Sequence, residues 1–195
     1  MVATHARLGQ RWLCAALCCL GLNSGAAHAL EFALQGGYEY GGDNVLEVTF
    51  QDGERESLRA GSGLLVSVGV IMATLPASAP ALETQINMGW KFDSVSAGNG
   101  DATWMLFPLE LLQFYRIGSW RIGGGLAMHL SPQLSGSGAL DGADAGFDDA
   151  AGAVFEVDYI NRSAYIALRA TLIEYEYIGT QLDGNNIGVM VGLRF

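Results

Sequence analysis

Residues 185–195 read NNIGVMVGLRF. From Ile187 the apolar side chains fall at every second position, Ile187, Val189, Val191, Leu193 and Phe195, while Asn186, Gly188, Met190, Gly192 and Arg194 occupy the places between. Successive side chains of an extended chain point to opposite faces, so this spacing predicts a β-strand with one oily face. A terminus normally frays into a polar tail, because end residues gain few contacts on ordering. An amphipathic strand that runs to its last residue implies a paired end.

The same period of two recurs seven times upstream. Phe32, Leu34, Tyr38 and Tyr40 alternate with Glu31, Ala33, Gln35, Gly37 and Glu39. Leu64 to Met72 follows, and then Leu82 to Lys91, with Glu83, Gln85, Asn87, Gly89 and Lys91 on the minor face. A fourth strand is predicted over 103–116 and a fifth over 120–130, the latter setting Arg121, Gly123, Gly125, Ala127 and His129 against Trp120, Ile122, Leu126, Met128 and Leu130. The sixth opposes Phe155, Val157 and Tyr159 to Glu156 and Asp158. The seventh opposes Ile166, Leu168 and Leu172 to Tyr165, Arg169 and Thr171. With the terminal segment there are eight.

The connections after the second, fourth and sixth strands are short, whereas those after the first, third, fifth and seventh are longer and polar. That alternation predicts an up-and-down antiparallel sheet with its long loops at one end. Alternation on both sides of Asp52-Gly53 predicts a hairpin within the first long loop, Gly41 to Gly61. Pro108 interrupts the fourth strand, and Trp104 and Leu106 precede it on even numbers while Leu109 and Leu111 follow on odd ones. A bulge at Pro108 would reconcile the two halves.

Residues 1–29 form a separate object: Arg7 and Arg11, an apolar run from Trp12 to Leu22, and the small-residue site Ala27-His28-Ala29. This is the pattern of a cleaved secretory signal peptide, which leaves one domain, 30–195. Cys14, Cys18 and Cys19 all lie in the leader, so the mature chain would have no disulfide. Losing Arg7 and Arg11 from ten basic residues leaves eight against 20 acidic ones. Nucleic acid is a poor partner for such a surface. No mature stretch reaches the roughly 18 apolar residues of a membrane helix.

Alternation leaves open which face points inward. Three features favour an oily exterior. The minor face is rich in small residues and carries charges of both signs, Glu31, Glu83, Lys91, Glu110, Arg121, Glu156, Asp158, Arg169 and Arg194, which can pair inside a barrel. Glu31 with Arg194, and Glu156 with Arg169, are expected pairs. Amphipathic aromatics fall at strand ends: Tyr38, Tyr40, Trp90, Trp104, Tyr175 and Tyr177 at the long-loop end, Tyr115, Trp120, Tyr159 and Tyr165 at the other. Two such belts suit the headgroup levels of a bilayer. Finally, about ten residues per strand at a steep tilt cross the hydrocarbon core.

On these residues the chain resembles the small eight-stranded outer-membrane barrels of Gram-negative bacteria, a class that includes the OmpA, OmpX and OmpW types. The resemblance implies an all-β, eight-stranded, antiparallel up-and-down transmembrane β-barrel with short periplasmic turns, monomeric and without cofactor or metal. It also implies that Val189, Val191, Leu193 and Phe195 serve as the signal read by the barrel-assembly machinery, and that lipid and lipopolysaccharide are the surroundings. Side chains fill a barrel of this size, so a general porin is disfavoured. The expected role is a non-catalytic, structural or surface-interaction one, through acidic extracellular loops. A carrier of small apolar molecules is an alternative.

His129-Leu130-Ser131 invites an enzyme reading, since the outer-membrane lipid A deacylases are similar barrels with a His-x-Ser pair; Asp141 or Asp144 would supply the acid. Met128 and Leu130 take the lipid-facing parity, however, which turns His129 into the lumen, so the bland reading is a partnered lumen histidine. The loop Asp141 to Asp149 lacks the alternate-position ligands of a calcium loop and reads as solvated. Gly123-Gly124-Gly125 lies mid-strand and reads as close packing in the wall, not as a phosphate cradle.

Overall fold

The structure is a computed structural model that describes residues 30–49, 55–73, 81–97 and 100–195. The expected leader and the Asp52-Gly53 tip lie outside the described residues. Eight barrel strands follow in order: β1 Leu30–Gly41, β2 Gly63–Ala73, β3 Ala81–Ala97, β4 Gly100–Ile117, β5 Trp120–Gly136, β6 Ala150–Asn161, β7 Ala164–Leu172 and β8 Asn186–Arg194. Each pairs antiparallel with its chain neighbours, and β1 pairs with β8 from Ala33↔Arg194 to Gly41↔Asn186, which closes the cylinder. Phe195 completes the seam, exchanging backbone hydrogen bonds with Phe32 at 2.9 and 3.1 Å. No edge is left for lipid to face, as a hydrocarbon environment requires.

Burial alternates strictly along β8: Ile187, Val189, Val191, Leu193 and Phe195 are 43–69% exposed, whereas Met190 and Arg194 are buried. The other strands keep the same sense, oily side out and ionic side in. A water-soluble protein does not expose a continuous apolar girdle of this extent. Lumen packing explains the wall glycines. The Tyr165 ring lies where a Cβ at Gly192 would be, and a Cβ at Gly123 or Gly125 would meet the backbone of β4.

Three expectations need correction. The bulge is not at Pro108. β4 keeps one parity throughout, with Trp104, Leu106, Pro108, Glu110, Leu112 and Phe114 all buried. The register with β5 shifts between Met105↔Gln133 and Phe107↔Leu130, so the extra residue belongs to β5 near Ser131, which takes φ 49°. Pro108 lacks an N–H to donate, and the irregularity is absorbed by the neighbouring strand. Second, the β3–β4 connection is not a long loop: the strands extend to Ala97 and from Gly100, and only 98–99 lie between. Third, Trp104, Tyr165 and Tyr175 point inward, being at most 4% exposed. Their numbers share parity with Glu110 in β4 and with Arg169 in β7, and that parity, not their height, sets the direction they face.

Beyond the barrel, 44–49 pairs with 55–59 in a hairpin from Asn44↔Arg59 to Thr49↔Arg55, as the alternation in the first loop predicts. A second hairpin joins 174–177 to 180–183. The two are tied together, with the Asp43 N–H donating to the Asp183 carbonyl at 2.7 Å and the Asp183 N–H donating to the Asp43 carboxylate at 3.0 Å.

Candidate functional site

Two layers fill the barrel. The lower one is ionic. At the short-turn rim Arg194 binds Glu31 at 2.9 Å and Glu83 at 3.1 Å. Arg121 also reaches Glu83 (3.5 Å), donates to the Gln85 side-chain oxygen at 2.7 Å, and pairs with Asp158. Its guanidinium carbon sits 3.9 Å from the centre of the Phe114 ring, which gives the cation a polarisable floor. Higher up, Arg169 binds Glu39 at 2.9 Å, Glu156 at 3.3 Å and also Glu110. Lys91 binds Glu39 at 2.6 Å and donates to the Gly61 carbonyl at 2.6 Å. Arg121 and Glu156, 3.9 Å apart, join the two groups, so the contacts run from Glu31 at one rim to the first loop at the other, and of the eight strands only β2 contributes no charge to them. Interior charges cost several kcal/mol each unless paired in this way.

All nine charged residues expected inside the lumen take part. Both expected pairs form, Glu31 with Arg194 and Glu156 with Arg169. Glu39 and Arg116 complete the network. Glu39 has the minor-face parity of β1 and lies at the height of Lys91, the signal by which sequence reasoning could have included it. Arg116, half in solvent, reaches Glu83 at 3.4 Å.

The upper layer is apolar. Leu58 and Ala60 of the first loop, Trp104 and Leu106 of β4, and Ile173 and Tyr175 of the second hairpin pack into one buried cluster. The Trp104 indole N–H donates to the Ala60 carbonyl at 3.1 Å, and its ring meets Tyr175 and Phe147 edge-on at 5.6 and 5.0 Å. The first loop therefore folds down onto the mouth. Between the layers the ring nitrogen Nδ1 of His129 lies 2.6 Å from the Tyr175 hydroxyl.

The remaining belt candidates, Tyr38, Tyr40, Trp90, Tyr115, Trp120, Tyr159 and Tyr177, are all outward and 37–57% exposed. Trp120 and Tyr159 meet edge to face at 5.2 Å beside the short turns. Val189, Val191, Leu193 and Phe195 line the outer face of β8.

The geometry does not assemble a triad. His129 is buried and held by Tyr175, whereas Ser131 is exposed on the bulge, where its N–H donates to Asp149 at 2.8 Å. Asp144 accepts from the Gly136 N–H at 3.0 Å and offers the histidine nothing. Among the described residues no group of three or more acidic, histidine or cysteine side chains could hold a metal.

An oily exterior around an ion-paired lumen decides the architecture. This is a transmembrane β-barrel. No protein-family model and no curated protein matches the sequence. Among solved structures, Ail, the attachment invasion locus protein of Yersinia pestis, in complex with the heparin analogue sucrose octasulfate, is similar at TM-score 0.49 and 10% identity, over 85% of this chain and 99% of that one. A second structure of Ail gives 0.43 and 9%, over 85% and 98%. Neisserial surface protein A gives 0.40 and 12%, over 87% and 98%.

Proposed function

We propose that the chain is a non-catalytic barrel of the bacterial outer membrane, exported by a leader cleaved before Leu30, that works through the surface formed by its loops. The observation that carries this reading is the filled interior. Charges from seven strands pair with one another along the axis, and the first loop seals the upper end with Trp104, so no aqueous path or apolar ligand chamber is needed to explain the lumen charges. The work is left to the exterior.

On this reading Tyr38, Tyr40, Trp90, Tyr115, Trp120 and Tyr159 sit at headgroup level, Tyr177 lies above them in the second hairpin, and Val189, Val191, Leu193 and Phe195 guide assembly by the barrel-assembly machinery. Lipopolysaccharide surrounds the upper rim of a monomer. The loops are acidic, and among the described residues above the mouth Arg55 and Arg59 are the basic ones. A sulfated polyanion, as seen with Ail, is a poor match for that charge.

Single-channel recording of the purified barrel in planar bilayers tests the filled lumen. The expected outcome is a silent membrane; steady openings of even small conductance would overturn the proposal. Membrane fractionation with a heat-modifiable gel assay tests location, and a chain recovered in the soluble periplasm would refute it.

A further inference from the structure

The second hairpin ends on Ile178-Gly179, a two-residue turn in which both residues take positive φ, 48° and 76°. Asn, Asp or Gly is favoured first in such turns, because a β-branched side chain in the left-handed region clashes with its own backbone. Ile178 is also 85% exposed, more than any other large apolar side chain among the described residues. It stands six positions beyond Leu172, roughly 15–20 Å of extended chain past the end of β7, too far to be a belt residue. Neither turn stability nor solubility favours isoleucine here.

The surroundings of this apex are specific. Tyr177 beside it packs on Phe147 with ring centres 5.0 Å apart and planes tilted by 36°, and the Asp148 N–H donates to the Glu176 carbonyl at 3.1 Å, so the hairpin and the 145–149 segment form one surface. Phe147, Asp148 and Asp149 line an open pocket with Ser131, Pro132 and Gln133. Ser131 also holds a positive φ without being glycine; among the described residues the third such position is Arg162, in the short turn at the opposite end of the barrel. Strained backbone gathers where a surface is shaped for contact. Among the described residues none of Asp148, Asp149, Glu174 and Glu176 has an ion-pair partner, Asp149 accepting only the Ser131 N–H, and the described arginines above the mouth are engaged elsewhere, Arg55 with Glu47 and Arg59 with the Gly42 carbonyl.

We infer that this surface docks a basic protein segment, which buries Ile178 and Tyr177 against apolar side chains and places a Lys or Arg in the acidic pocket beside Phe147. The inference rests on the surface-contact function proposed above and names its partner chemistry. An anionic bilayer or a polyanion would be repelled by the four unpaired carboxylates.

The test uses the full barrel in zwitterionic nanodiscs and a fluorescent amphipathic Lys/Leu peptide as probe, with a Glu/Leu and a Lys/Ser peptide as controls. The Lys/Leu peptide is expected to bind at least tenfold tighter than either control, and more weakly as salt rises. Ile178→Asn suits the turn better, so that variant is expected to unfold at the same or a higher urea concentration while losing tenfold or more in peptide affinity. Asp148→Asn with Glu176→Gln, which leaves Asp149 and Glu174, is expected to weaken the salt dependence. Equal binding of the three peptides, binding indifferent to Ile178→Asn, equal uptake by empty nanodiscs, or self-association abolished by Ile178→Asn would each overturn the inference. A Thr180→Cys variant on intact cells separates the two proposals: labelling by an impermeant maleimide without peptide binding removes this inference alone, whereas absence of labelling removes the surface role beneath it.

Discussion

Arg169 offers the sharpest test of the lumen. Its guanidinium is fully buried and serves three carboxylates, Glu39 at 2.9 Å, Glu156 at 3.3 Å, and Glu110. Arg169→Met keeps much of the aliphatic volume but removes the charge. Glu39 then still has Lys91 at 2.6 Å, but Glu110 keeps only the Asn87 amide at 3.0 Å and Glu156 only Arg121 at 3.9 Å. Removing one partner of a buried pair costs about 3–5 kcal/mol, and two of the three acids here lose their nearest cation, so the upper part of that range is expected. Arg169→Lys keeps the charge without the planar fork and is expected to lose about half as much. Arg169→Met with Glu110→Gln should be more stable than Arg169→Met alone, because the stranded charge is gone. Urea titration in lipid vesicles, followed by tryptophan fluorescence and by the heat-modifiable band, measures all three. A loss below about 1 kcal/mol for Arg169→Met, the scale of an exposed pair, would refute the reasoning.

Trp104→Ala is expected to destabilise the barrel by about 3–5 kcal/mol and to release the first loop, read as faster limited proteolysis within 44–59. Gly192→Val pushes into the Tyr165 ring and is expected to cost about 1–3 kcal/mol by the same urea assay, whereas Gly146→Ala, with open space around it, should stay within about 0.5 kcal/mol of the parent. His129→Ala strands the Tyr175 hydroxyl and is expected to cost about 1–3 kcal/mol, while mass spectrometry finds lipid A acylation unchanged in cells that carry it.

Strand number, pairing order and the two lumen pairs were legible because period-two alternation fixes which side chains share a face, and the closing seam fixes which ends meet. The same rule held the answer where the reading went astray. Trp104 and Leu106 share even numbering with Glu110, and Tyr175 shares odd numbering with Arg169, so an unbroken parity sends all of them inward. They read as lipid-facing because they are apolar or aromatic and lie at strand ends. What the one-dimensional pattern lacks is the apolar layer above the ionic one: a mouth closed by Leu58 and Ala60 needs greasy lumen residues beneath it. The bulge misled for a related reason. Pro108 marks where a ladder bond is missing, but the extra residue can be inserted on either side of the gap, and here the neighbouring strand takes it at Ser131. The Glu39 link to Lys91 joins residues 52 apart and depends on strand stagger, which alternation alone does not give.

Brominated lipids placed around the folded protein test the orientation on which the whole account rests. Single-tryptophan versions retaining Trp90, which faces out at 45% exposure, or Trp104, which is fully buried, are reconstituted and their fluorescence compared with that in ordinary lipid. Strong quenching of Trp90 with Trp104 shielded is the result expected here. Quenching of Trp104 with Trp90 untouched would mean that the greasy face looks inward, and the barrel described here would be inside out.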